Sequence, residues 1–331
     1  IMLVKEIMFG YYNTQCLYVV AELNIADYLQ DDQKHISDIA RYAEVDEDKL
    51  YRIMRFLSSK NLFNEYQNKI FGLNKESKCL VSTDKSSMKD FVTFHAMYFY
   101  QSAKKILEGI KTDQIPFNIE FEQPFWTFLE EDQHAGTMFN RSMKNASDAQ
   151  AKIIANIYDF SSYKKIVDLG GGLGSLLANI LHKYRNCSGI NFDLATMHDD
   201  AELYFKKQNL SDRLKYISGS FFETIPEGAD LYIMKAILHG KKDDISKTIL
   251  RKCKTAMPNH ARLLIIDRII SKDEYYVDAC TNDINMLNVS GGKDRTLNEI
   301  KHLLSDVDLH INSTYRVSQS LFIIEAIKTN L

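Results

Sequence analysis

Proline, tryptophan and glycine are scarce in this 331-residue chain, at 4, 1 and 14 residues. That scarcity excludes collagen-like, proline-rich and low-complexity chains and leaves long stretches of uninterrupted regular structure. The five cysteines (Cys16, Cys79, Cys187, Cys253 and Cys280) are odd in number and form no C-x-x-C pair, against both a disulfide framework and a structural zinc site. Reduced thiols point to a cytoplasmic protein. No apolar run reaches the ~18 residues of a membrane span, and the start IMLVKEIMFGYYN lacks the basic head and long apolar core of a secretory signal. An excess of basic charge is missing too. Lys and Arg number 41 against 44 Asp and Glu, a net charge of −3, which disfavours a general binder of nucleic acid or anionic membrane.

What is present is a globular composition, 45% apolar and 26% charged, at about twice the usual length of one domain. Two domains are expected, over 1–145 and 146–331. Up to residue 108 only Gly10 and Gly72 interrupt the chain. Apolar residues such as Leu17, Val20, Ala21, Leu23, Ile25 and Leu29 recur there at helical spacing, so the first third is predicted mostly helical. Between 36 and 74 the pattern predicts a short helix capped by Ser37, a turn at Glu44 and Val45, a second helix over 46–62 and a hairpin around Gln67 and Asn68. That is the outline of a winged helix, and it raises DNA binding. The charges oppose this reading: residues 36–78 hold eight basic and seven acidic side chains, and the second helix opens with Asp46, Glu47 and Asp48 where phosphates would approach. A helical module used for dimer contacts is the preferred reading.

After residue 163 the runs KKIVDLG, GINFDL, LKYISG, ADLYIMK and RLLIIDR are predicted strands, alternating with helices near 174–184, 199–208 and 243–256. Such alternation implies an α/β fold with a mostly parallel sheet covered on both faces. LHINSTYRV and SLFIIEAI at the end predict an antiparallel pair.

Asp168-Leu169-Gly170-Gly171-Gly172-Leu173-Gly174 joins a predicted strand to a predicted helix, the place of the ligand crevice in an open α/β sheet. A dinucleotide site wants G-x-G-x-x-G, and counting from Gly170 the sixth position is Ser175. At the end of the next strand stands Asp193, a carboxylate able to accept both hydroxyls of a ribose. That acid suits either a nicotinamide dinucleotide or S-adenosylmethionine. The incomplete glycine pattern favours the ligand without a pyrophosphate.

The blocks VDLGGGLG (167–174), GINFDL (189–194), GSFF (219–222), LYIMKAILHGKKDD (231–244), LLIIDRII (263–270) and DINMLNVSGGKDRT (283–296) resemble, in order and spacing, those of the metal-independent small-molecule O-methyltransferases that use S-adenosylmethionine. These include plant caffeate-type enzymes and bacterial enzymes of pigment and antibiotic pathways. IPFN (115–118), PFWTFL (124–129) and FNRSM (139–143) extend the resemblance into the helical part. It implies a winged-helix-like N-terminal part that forms a homodimer and closes the partner's substrate pocket, followed by a Rossmann-like methyltransferase domain. It also implies that S-adenosylmethionine is converted to S-adenosylhomocysteine without a metal. Gly170, Gly172 and Gly174 would then meet the methionine part, Asp193 the ribose, Ser220 and Phe221 the adenine, Lys235 the cofactor as well, and Ser147 its carboxylate. His239 aligns with the general base, flanked by Asp267 and Asp294. Phe139 and Met143 match pocket-lining positions.

Met97, Met286 and Phe94 are apolar, partly flexible candidates for the same pocket, and His95 stands in an apolar helix that can face it. The chain departs from the family at three places. Gly240 and Lys241 replace an aspartate and a tryptophan after the base, Ser220 replaces an aspartate, and Asp267 and Asp294 replace frequent glutamates, each one methylene shorter. Two other functions stay open at this point: a family member with altered chemistry that methylates nitrogen or carbon, and a winged-helix regulator of DNA that senses an adenosine ligand.

Overall fold

The structure, a computed structural model, describes residues 2–329, with nothing specified for the side chains of 144–146, where the expected domain border at 145/146 falls. The described chain divides into two units. One comprises the residues up to Leu107 together with Phe117–Ala146, and the other Glu108–Pro116 together with the chain from Ser147 onward.

In the first unit the helix Ile36–Tyr42 starts behind His35. His35, not Ser37, is its cap: the imidazole Nδ1 accepts the Ser37 N–H at 3.2 Å, because an acceptor one residue before the first turn reaches an orphan N–H that a side chain inside that turn does not. Glu44 takes the left-handed conformation (φ 54°) that ends this helix. Glu47–Ser59 follows, capped by Asp46, which accepts the Lys49 N–H at 2.9 Å. It buries Leu50, Met54 and Leu57, spaced for one helical face. Strands β1 (Lys34–His35), β2 (Phe63–Tyr66) and β3 (Ile70–Leu73) pair in the order β1-β3-β2. The wing-like hairpin turns at Asn68 and Lys69, both at positive φ. A second cluster packs Phe94 against Phe99, Phe125 and Phe139, with ring centroids 5.2–6.3 Å apart. Phe94 is completely buried and so belongs to this core, not to a pocket lining.

The second unit is a seven-stranded sheet made of β4 (Lys165–Leu169), β5 (Ser188–Asp193), β6 (Leu214–Ser218), β7 (Leu231–Lys235), β8 (Arg262–Arg268), β9 (Leu309–Ser318) and β10 (Leu321–Lys328). Its order is β6-β5-β4-β7-β8-β10-β9. The first five run parallel, and β10 joins β8 and β9 antiparallel. Leu263, Leu264, Ile265 and Ile266 of β8 are all fully buried. A strand with neither face wet needs helices on both sides, and each such side chain contributes about 1.5–3 kcal/mol in transfer from water. The strand order reverses at β4, which pairs with β5 on one side and β7 on the other. There the carboxyl ends of the strands part and leave a crevice for a ligand. No described helix is long and apolar enough to cross a membrane.

Candidate active site

The loop after β4 borders that crevice. Gly170, Gly172 and Gly174 have φ of +74°, +56° and +82°, values that side chains rarely tolerate. A Cβ on Gly174 would stand 2.5 Å from the Phe205 ring, and one on Gly170 would strike Ile237, whereas one on Gly172 would meet nothing within 4 Å. The loop is therefore pressed against protein at two glycines and clear at the third. β5 holds its apex: Asn191 Nδ2 donates to the Gly172 carbonyl and the Gly172 N–H donates to Asp193 Oδ2, both at 2.7 Å. Asp193 Oδ1 accepts the Leu194 N–H, also at 2.7 Å. The Gly219 N–H donates to the Asp193 carbonyl, which brings the turn with Ser220 and Phe221 to the same edge. Phe221 Cε1 would lie 3.9 Å from a Cβ on Gly170, and Ser220 Oγ accepts the Phe222 N–H at 3.2 Å. A carboxylate, a flat ring and a bare backbone thus share one cleft, a donor and acceptor set that fits an adenosine ligand.

Lys235 ends β7. Its Nζ donates to Ser147 Oγ at 3.2 Å, and burial lowers its pKa against the opposing pull of Asp168 and Asp267. Asp168, buried under the loop, is raised to about 7 by burial, with Lys235 pulling down and Asp193 pushing up. The next residue, Ala236, sits at φ 57°, a left-handed conformation that costs a non-glycine residue about 1 kcal/mol or more. That kink throws the chain sideways into the turn Leu238–Gly240, which carries His239.

His239 is largely buried, and its Nδ1 lies 3.3 Å from Oδ1 of Asp294, close enough for charge attraction but off the line of a good hydrogen bond. Burial pushes its pKa down. Asp267 and Asp294 pull it up by more, so the net shift is upward, with Arg268 a smaller opposing influence. Asp267 is fully buried near the end of β8, and burial raises it to about 6 although His239 favours its charged form. The Leu238 N–H faces this carboxylate and favours its charged form, although neither oxygen meets a donor in strict hydrogen-bonding geometry among the described residues. The shorter aspartate at 294 thus reaches the imidazole directly, while the one at 267 acts through its charge. Asp294 is itself held, its Oδ2 accepting from Asn282 Nδ2 at 2.6 Å and its N–H donating to Asp283 Oδ1 at 2.9 Å.

Sequence reasoning missed Asn191, Asn282 and Arg295. Arg295 is 2% exposed, and its donors go to Leu238 O, Lys241 O, Lys293 O, Asp243 Oδ1 and Ser246 Oγ. Lys241, in the place of the family's tryptophan, is half-buried, and burial lowers its pKa. Met286 is half-buried on the helix Tyr276–Val289 that also carries Asn282. In the first unit Met97, Phe139 and Met143 are half-buried. There His95 begins a π-helical stretch, His95–Phe99; its Nδ1 pairs with the Phe91 carbonyl at 2.8 Å, and burial lowers its pKa to about 4, so it is neutral near pH 7.

A model of the O-methyltransferase domain matches residues 99–308, and one of the O-methyltransferase dimerisation domain matches residues 5–83, a span that includes the winged-helix outline. The chain belongs to the O-methyltransferase family. This O-methyltransferase is 30% identical to the phenazine O-methyltransferase of Lysobacter antibioticus over 97% of its own length and 94% of the relative's. The structure of the mitomycin 7-O-methyltransferase superposes with a TM-score of 0.89 at 29% identity, covering 99% of this chain and 97% of the other. The O-methyltransferase of neocarzinostatin biosynthesis, solved with S-adenosylmethionine and 2-hydroxy-5-methyl naphthoic acid, superposes with a TM-score of 0.81 at 26% identity over 96% of each chain.

Proposed function

We propose that this O-methyltransferase methylates a hydroxyl of a small aromatic or heteroaromatic metabolite of a pigment or antibiotic pathway, using S-adenosylmethionine and no metal, as a cytoplasmic homodimer with His239 as general base. The observation that carries the reading is the His239–Asp294 pair, 3.3 Å apart, with His239 in the turn that follows β7, the strand next to the one that leads into the glycine loop. Relatives named as a phenazine O-methyltransferase and as a 6-O-methyltransferase of mitomycin biosynthesis support the acceptor class, and the dimerisation-domain match supports the homodimer. Five unpaired cysteines suit a reducing compartment.

Gly170, Gly172 and Gly174 would hold the methionine part of the cofactor, Ser147 its carboxylate, Asp193 the ribose, Ser220 with Phe221 the adenine, and Lys235 would contact the cofactor as well. When bound, S-adenosylmethionine supplies a methyl group on a positively charged sulfur, already electrophilic. What is left to the chain is to orient the acceptor and take its proton. Phe139, Met143, Met97, His95 and Met286 are assigned to the acceptor; a neutral His95 adds a polar atom among apolar side chains without adding charge. His239 turns Nδ1 toward Asp294, which leaves Nε2 to accept the hydroxyl proton. Asp294 and Asp267 then stabilise the imidazolium as the proton arrives. Holding reactants in line is worth roughly 7–11 kcal/mol, and a positioned base about 10²- to 10⁴-fold in rate.

The test is a screen of hydroxylated phenazines, naphthoates and quinones with S-adenosylmethionine labelled in the methyl group. Label on a phenolic oxygen is expected. Label found only on nitrogen or carbon, or none with any hydroxylated aromatic, contradicts the reading.

A further inference from the structure

We infer that Arg295 and Gly292 are positioning residues that clasp the His239 turn and keep the imidazole in register with both flanking carboxylates. The inference rests on the reading of His239 as the base. Arg295 is bound at two ends. Its carbonyl accepts the Ile270 N–H at 3.0 Å and it bridges Ile269, continuing the line of β8, the strand that carries Asp267. Its guanidinium crosses to the His239 turn, where Nη1 donates to the Leu238 carbonyl and Nη2 to the Lys241 carbonyl, each at 2.8 Å. Those two carbonyls bracket His239. Nε and Nη2 also donate to Asp243 Oδ1, at 3.0 and 2.8 Å, and Nη2 lies 3.3 Å from Ser246 Oγ, so a planar five-donor fork is satisfied inside the protein. Lysine, a point charge with three donors, cannot reproduce that fork.

Gly292 closes the clasp from the other side. Its φ is not in the left-handed region, so the demand for glycine there is one of space. A Cβ would be driven into the His239 carbonyl oxygen and the Gly240 backbone, and would stand 2.6 Å from the Lys241 nitrogen. The loop that carries Asp294 therefore lies on the bare backbone of the His239 turn. One side chain fixes the base, its neighbour in sequence is the acid that faces the base, and its own backbone is fixed to the strand of the other acid.

The experiment compares full-length Arg295→Lys, Gly292→Ala and Asp243→Asn with the parent enzyme and with His239→Ala. Its readouts are the titration of His239 by NMR with ring-labelled histidine, kcat and KM for the acceptor, and S-adenosylmethionine affinity by calorimetry. The groups that set the His239 titration are Asp267, Asp294 and Arg268. A loosened clasp is expected to let the His239 pKa fall toward its ordinary value and kcat drop about tenfold or more, with KM and cofactor affinity within about twofold. Should the two clasp variants fail to fold, Asp243→Asn, at the half-exposed end of the fork, carries the same test with a smaller loss of kcat. If the folded variants keep both the His239 titration and kcat while His239→Ala is inactive, the clasp is wrong and the base reading stands. If His239→Ala is itself active, the base reading falls.

Discussion

Nδ1 of His239 lies 3.3 Å from Oδ1 of Asp294, a carboxylate with no exposed side-chain surface. That carboxylate is denied water and is held on its other oxygen by Asn282 Nδ2 at 2.6 Å, and its charge makes the nearby imidazole easier to protonate. Asp267, buried on the neighbouring strand, adds to the same field. In the proposed role of His239, the pair orients the ring and sets the pH at which it can take a proton.

The first prediction concerns that pH. Burial lowers the His239 pKa, but Asp267 and Asp294 raise it further, so the net value lies above 6.5. With His239 in the proposed role of base, the neutral imidazole is the form that works, so kcat/KM should rise with pH through an apparent pKa above 6.5. Asp267→Asn removes one raising charge and should move this limb to lower pH. Because the buried groups titrate together, the limb belongs to the cluster. A pH–rate profile unaltered by Asp267→Asn would remove Asp267 from the site's electrostatics.

A second prediction separates the glycines. Gly172→Ala has room for its methyl group and pays only for a positive φ, about 1 kcal/mol. It should fold with a slightly lowered Tm while binding S-adenosylmethionine less tightly, because the added methyl faces the cleft. Gly174→Ala adds a 2.5 Å approach to the Phe205 ring and should lose clearly more stability. Equal melting temperatures for the two variants would contradict the loop geometry.

Asp193→Ala should weaken S-adenosylmethionine at least about tenfold by calorimetry, since the carboxylate is assigned to the ribose and also fixes the Gly172 N–H at 2.7 Å. Unaltered affinity would show that the ribose is held elsewhere.

Much of this was legible in the chain itself. Short β-branched runs predicted β4 to β10, and the glycine loop with Asp193 stood out because positive φ and close backbone approach both demand glycine. The hairpin at Asn68 was readable from the alternation of apolar and polar residues on either side of it. What escaped were residues whose role is set by distant contacts. Arg295 sits in a charged, glycine-containing loop that looks solvated until its guanidinium is followed across more than 50 residues to the Leu238 carbonyl. Asn191 looks like an ordinary polar residue in a strand, and Asn282 like one on a helix, yet one holds the glycine loop and the other Asp294. The strained φ of Ala236 has no signature in its residue type. Phe94 failed as a pocket residue because an apolar helix face does not reveal whether its rings meet a ligand or one another.

The most direct measurement is methyl transfer by His239→Ala alongside its S-adenosylmethionine affinity by calorimetry. Cofactor binding close to that of the parent, with turnover of a hydroxylated aromatic lowered by about 10² or more, is the expected result. Parent-like turnover in the same variant would show that another group takes the proton.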